Sequence, residues 1–219
     1  MFIVQKEPKS IGAEAYKDLR TNIQYSTFDK DSQIIIVTSS QPGEGKSTTA
    51  GNLALAMAQD GKKTLLIDCD LRLPTMHKKF SISNNLGLSE IVIGKTIFLE
   101  ALQPIANNLS VITAGKIPPN PAEMLGSQNM KRLLEELRKH YEYIILDTPP
   151  VLAVSDAQIL STVADGLVLV IRAGVTKKDI VIKAKRKIEV VKGKIIGAIL
   201  NGASLERGNY YYYYGNDKK

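Results

Sequence analysis

Gly43, Glu44, Gly45, Lys46, Ser47 and Thr48 follow an apolar run, Ile34-Ile35-Ile36-Val37, and lead into a helical pattern. Glycines at this spacing let backbone amides curl around phosphate oxygens. The lysine neutralises the β- and γ-phosphates, and the Ser47 hydroxyl can ligate Mg²⁺ at the helix's positive end. This is a P-loop with one departure, Ser40 where the pattern expects glycine.

Further along, Leu66-Ile67 runs into Asp68-Cys69-Asp70. With a period of two, Asp68 and Asp70 share a face at a strand's C-terminal end, and Cys69 faces away. Beside a bound Mg²⁺ both carboxylates can stay ionised, one ordering the metal's waters and the other free to accept a proton. A third segment, Tyr143-Ile144-Ile145-Leu146-Asp147-Thr148, reads as a Walker B strand whose aspartate holds Mg²⁺ through water. The aspartate pair and the Walker B strand are weak alone, and the three segments in this order are specific. Asn201, just after the last apolar run, either pairs its amide with an adenine edge or makes an ordinary Asx turn.

These residues need a scaffold that brings strand ends together. Apolar runs at 34–37, 64–67, 110–112, 143–146, 167–171 and 195–200 read as buried strands. Helical patterns alternate with them. Ala50, Leu53, Ala54, Met57 and Ala58 form one, closed by Gly61. Asn120-Pro121-Ala122-Glu123 opens another, expected as a capping box on a helix running to about Lys139. The alternation predicts an α/β fold of the P-loop NTPase kind, a mostly parallel twisted sheet with helices on both faces. The expected units are an N-terminal helical segment at 1–32, a nucleotide-binding domain at 33–202 and a flexible tail at 203–219.

The 219 residues suit one such domain; 44% hydrophobic and 23% charged residues argue against a wholly disordered or fibrous chain. No segment approaches the ~20 apolar residues of a membrane span and no apolar leader opens the chain, so a cytoplasmic location is expected. The sole cysteine, Cys69, fits a reducing compartment. The formal charge of +7 is local: residues 172–194 carry nine basic and two acidic side chains, and the rest of the chain sums to zero. A single stripe does not resemble a nucleic-acid-binding surface, and no nucleic-acid partner is expected. Within it, Ile180, Ala184, Ile188 and Val191 recur at helical spacing, with Lys183, Lys185, Arg186 and Lys187 off that face. The helix is either a solvated face or a dock for anionic lipid or an acidic partner.

There are nine tyrosines and no tryptophan, and Tyr210, Tyr211, Tyr212, Tyr213 and Tyr214 are consecutive. Neither a helix nor a strand can bury five adjacent side chains on one face, so these phenols are expected to be accessible. With a pKa near about 10, a phenol needs a base and an electrophile to react at neutral pH, and a Mg²⁺-ATP site with aspartates supplies both. The bland alternative is a tail that stacks on a partner.

The P-loop, the Asp68/Asp70 strand in the arrangement called Walker A-prime, the Walker B segment and the tyrosine cluster together resemble the bacterial tyrosine kinases (BY-kinases) of capsule and exopolysaccharide synthesis. The resemblance covers nearly the whole chain. It includes Glu14, Lys17 and Arg20, similar to the family's E-x-x-R-x-x-R oligomerisation motif, with Lys17 at the first arginine. Lysine lacks the guanidinium's bidentate fork. Gln41 stands where partitioning ATPases carry a lysine, which favours the kinase over the alternative of a nucleotide-switched positioning ATPase.

The resemblance implies ATP and Mg²⁺ as cofactors and autophosphorylation of residues 210–214 by a neighbouring subunit in a ring. Lys46, Asp68 and Asp70 would be catalytic, and Ser47, Asp70 and Asp147 would hold the metal. The implied partners are a membrane activator protein that keeps the chain peripheral at the inner membrane face, and a cognate phosphotyrosine phosphatase.

Overall fold

The structure, a computed structural model, describes residues 2–26 and 33–203. The elements run α1 (Ile3–Lys6), α2 (Ile11–Ser26), β1 (Ile34–Ser39), α3 (Lys46–Gln59), β2 (Thr64–Asp68), α4 (Met76–Phe80), α5 (Leu88–Val92), α6 (Phe98–Ala101), β3 (Leu102–Ala106) and β4 (Leu109–Ile112). They continue α7 (Pro121–Leu125), α8 (Gln128–Arg138), β5 (Tyr143–Asp147), α9 (Asp156–Ser161), β6 (Gly166–Arg172), α10 (Lys178–Val190) and β7 (Ile195–Asn201).

The seven strands form one sheet in the order β3-β4-β2-β5-β1-β6-β7. Every neighbouring pair is parallel except β3 with β4. Alternation along each buried strand feeds two cores. Ile34, Ile36, Leu65, Ile67, Ile144 and Leu146 face one side, against Leu134 and Leu137 of α8, Leu160 of α9 and Ile188 of α10. Ile35, Val37, Leu66 and Ile145 face the other, against Leu53 and Met57 of α3 and Ile23 of α2. The central strands are apolar throughout because both faces are covered.

Three details depart from the sequence expectation. The helix expected from Asn120 to Lys139 is two helices broken at Gly126-Ser127. Ser127 caps α8 by accepting the Met130 N–H, whereas the Asn120 side chain makes no cap bond. The antiparallel edge strand β3 was not foreseen; Pro104 within it reads as a strand breaker, and an edge position tolerates that residue. Finally, α3 is buried on nearly all sides, not along one stripe, because α1 and α2 pack over its outer surface. Gly51 makes room for Phe2: a Cβ there would lie 2.2 Å from the ring. Asn52 fastens the same segment by accepting the Val4 N–H at 3.1 Å.

The Glu14, Lys17 and Arg20 charges on α2 are tied within the chain. Lys17 Nζ lies 2.7 Å from Glu14 Oε1, and Arg20 Nη1 lies 3.3 Å from Asp60 Oδ1. In the basic stripe, α10 buries Ala184 and Ile188 and exposes Lys183, Lys185, Arg186 and Lys187. No helix among the described residues is long and apolar enough to cross a membrane.

Candidate active site

Parallel strands deliver their C-terminal ends to one rim of the sheet, and there β1, β2 and β5 bring the three motifs together. Asp68 is in register with Asp147 across the β2–β5 pair. The P-loop rises from β1 and closes on the first turn of α3. Gly45 has φ +99°, a left-handed conformation that glycine adopts without steric cost, and the Asn201 amide packs against it.

Glu44 is an internal brace of this loop. Buried at 3% exposure, its Oε2 accepts the N–H groups of Ser40 and Gln41 at 2.7 and 3.1 Å. Its Oε1 accepts the Thr176 hydroxyl, which in turn accepts the Arg172 N–H. Asn201 donates from Nδ2 to the Glu44 carbonyl at 2.9 Å. The Asn201 side chain therefore secures the phosphate loop, a role that neither sequence alternative described. Ser40 contributes its backbone N–H to this arrangement, which any residue but proline can do in place of the expected glycine.

Lys46 Nζ contacts Asp70 Oδ2 at 2.8 Å, Ser47 Oγ at 3.1 Å and Asp147 Oδ1 at 3.7 Å. Burial works to lower the lysine's pKa, but the charges of Asp147 and Asp70 outweigh it and hold the ammonium above its usual range. Asp147 is fully buried beside Ser47 and Lys46, and neither of its oxygens meets hydrogen-bond geometry with any described residue. Burial pushes its carboxyl up to about 6, with Lys46 pulling the other way. Lys46 at 3.7 Å offsets only part of the cost of burying this carboxylate, so the residues present fit a divalent metal. Among the described residues no group of three His, Cys, Asp or Glu forms a ready cage. A hard ion held by Ser47, Asp70 and Asp147 would complete its shell with water and phosphate.

Asp68 and Asp70 play different parts. Asp68 is fully buried, its Oδ2 accepting the Thr75 and Met76 N–H groups and its Oδ1 the Asp70 N–H at 3.2 Å. Burial first, then the Asp147 charge, push it up to about 7. Asp70 faces the cleft and binds Lys46. Cys69 between them is buried in the opposite core, and burial raises its thiol pKa well above the usual value.

A cleft of about 540 Å³, within the usual size range of ligand sites, opens over the P-loop. Gly43, Gly45, Lys46, Ser47, Thr48 and Asp70 line one side. Three further residues were missed in the sequence. Lys79 donates to Thr48 Oγ1 at 3.0 Å, Arg72 pairs with buried Asp156, and Thr176 holds Glu44. Each pairing spans 31 or more positions, and no local pattern marks it. Tyr210 to Tyr214 lie outside the described residues.

An AAA-domain family profile matches residues 32–194. The chain is 49% identical to the tyrosine-protein kinase YwqD of Bacillus subtilis over 214 residues, covering 97% of this chain and 90% of that one. It is 40% identical to the putative tyrosine-protein kinase CapB of Staphylococcus aureus, over 98% of this chain and 95% of the relative. Its fold superposes on the kinase domain of the Escherichia coli tyrosine kinase ETK with a TM-score of 0.88 at 34% identity, covering 94% of this chain and 83% of that domain. A nucleotide-binding P-loop, the aspartates gathered behind it and this degree of likeness lead to one assignment: the chain belongs to the bacterial tyrosine kinases built on an AAA-type P-loop domain, and it is a protein-tyrosine kinase.

Proposed function

We propose that the chain phosphorylates its own tyrosine cluster, residues 210–214, within an oligomer, and that this regulates capsular or exopolysaccharide synthesis and export. The observation that carries the reading is the convergence of Lys46, Asp68, Asp70 and Asp147 on the phosphate loop of a chain with five adjacent phenols.

The loop amides and Lys46 bind the β- and γ-phosphates of ATP; to do so, Lys46 exchanges its carboxylate partners for phosphate oxygens. Mg²⁺, held by Ser47, Asp70 and Asp147, supplies charge neutralisation of the phosphates when bound. Asp68 accepts the phenol proton. Its Oδ1, with a single 3.2 Å bond, retains acceptor capacity. The tyrosine oxygen forms the new P–O bond as the bond from phosphorus to the β,γ-bridging oxygen breaks, and ADP leaves.

Glu14, Lys17 and Arg20 support assembly of copies, a membrane activator protein holds the chain at the inner face of the membrane, and a phosphatase resets it. Each phosphotyrosine adds about −1.5 to −2 charges, which changes how the tail meets a cleft lined by Lys46, Arg72, Lys79 and Asp70.

The test incubates full-length protein with Mg²⁺-ATP beside Lys46→Met and a chain truncated before Asn209, and blots for phosphotyrosine. Signal in the intact chain that both variants lose supports the proposal; ATP hydrolysis without phosphotyrosine, with an activator segment fused as control, overturns it.

A further inference from the structure

Seven residues, 69–75, separate the aspartate strand from α4, and buried carboxylates pin them at both ends and in the middle. Asp68 takes the N–H groups of Asp70, Thr75 and Met76. Asp70 Oδ1 takes the Leu73 N–H at 3.0 Å. Arg72 forks onto Asp156, Nε and Nη2 each 3.1 Å from a carboxylate oxygen that is fully buried. A segment held this firmly presents Leu73 to solvent at 77% exposure. Exposure alone would mean little, since single apolar residues are common on surfaces. Leu73, however, stands at the mouth of the nucleotide cleft, which Pro149, Pro150, Ala153 and Val154 also line.

The cleft lining thus combines the charges of Lys46, Asp70, Arg72 and Lys79 with apolar side chains. A tyrosine side chain has the matching combination, an apolar ring ending in one polar atom. We infer that Leu73, with Ala153 and Val154, forms the acceptor subsite, gripping the ring of a tyrosine from residues 210–214 so that its oxygen meets the aspartates. The occupant follows from what lies past Ala203: 16 residues, five of them tyrosine. Arg72 is a positioning residue, acting through Asp156 on the segment that carries Leu73. This inference rests on the autokinase reading above.

The experiment uses full-length protein, wild type beside Leu73→Ser and Leu73→Met. It reads the initial rate of phosphotyrosine formation, the affinity for a fluorescent ATP analogue, and the melting temperature. The Leu73 N–H that binds Asp70 is backbone and survives both substitutions. Leu73→Ser is expected to slow phosphorylation roughly tenfold, the size of one lost apolar contact. Nucleotide affinity and melting temperature should stay at wild-type values, and Leu73→Met should recover most of the rate. Wild-type phosphorylation by Leu73→Ser overturns the acceptor subsite, and so does a loss that tracks weakened nucleotide binding. Absence of phosphotyrosine from the wild type, with ATP hydrolysed, instead overturns the autokinase reading on which the subsite depends.

Discussion

Lys46 is bonded to Asp70 at 2.8 Å, so the ammonium that serves the phosphates is held by a carboxylate until nucleotide arrives. The same cation lies 3.7 Å from Asp147. Replacing it with methionine therefore removes a phosphate ligand and also the countercharge of a buried acidic cluster. Lys46→Met is expected to abolish phosphotyrosine formation, by at least about 100-fold. It should also lower the melting temperature more at pH 8 than at pH 5, where the cluster takes up protons. Kinase assays and thermal melts at the two pH values check both parts.

The wild type should show a milder version of that pH dependence. Asp68 and Asp147 have folded-state values raised to about 7 and about 6, above the ordinary aspartate value in the unfolded chain. The folded state then binds more protons than the unfolded state across the interval between them. This stabilising contribution is complete below the unfolded value and is lost as pH rises through the folded ones. Nucleotide-free protein is expected to melt several degrees lower at pH 8 than at pH 5, and Asp68→Asn should flatten the slope. Added Mg²⁺ should raise the melting temperature more at the higher pH, because metal binding needs the deprotonated carboxylate.

Among the described residues, Glu44 binds two loop amides and the Thr176 hydroxyl and pairs with no cation. Glu44→Ala strands the buried Ser40 N–H and the part-buried Gln41 N–H, at a cost of about 2 kcal/mol, or roughly 4–8 °C in melting temperature. Thr176→Val should cost about 1 kcal/mol, and the double variant less than the sum, since both act on one network. A double-mutant cycle by denaturant unfolding measures that coupling. ATP affinity should fall with Glu44→Ala, because the amides that meet phosphate lose their brace.

Much of this site is legible in the sequence because its chemistry is local. A P-loop, an Asp-x-Asp and an aspartate ending an apolar strand each lie within a few residues, and parallel strands must gather their ends at one rim. The central strands are equally readable, since burial on both faces demands unbroken apolar runs such as Ile34 to Val37. What escaped depends on distant partners. Arg72 and Asp156 are 84 positions apart, and Glu44 and Thr176 are 132 apart. Leu73 reads as part of a loop until its anchors are known. The break at Gly126-Ser127 and the strand through Pro104 were hidden for another reason: one cap and one edge position outweighed ordinary propensity there.

Gly51 offers a test of how the N-terminal segment is seated. A valine side chain there would start 2.2 Å from the Phe2 ring. Gly51→Val is expected to cost about 1–3 kcal/mol through overpacking, measured by denaturant unfolding, with the P-loop sequence untouched.

Phe2 wedged on Gly51 and Val4 bonded to Asn52 also have a mechanical meaning. The helix they grip begins at Lys46, so one stiff rod joins the start of the chain to the phosphate site. Interiors packed this tightly transmit displacement instead of absorbing it. A pull on residues 2–6 would therefore load the helix whose first residue, Lys46, closes the phosphate loop.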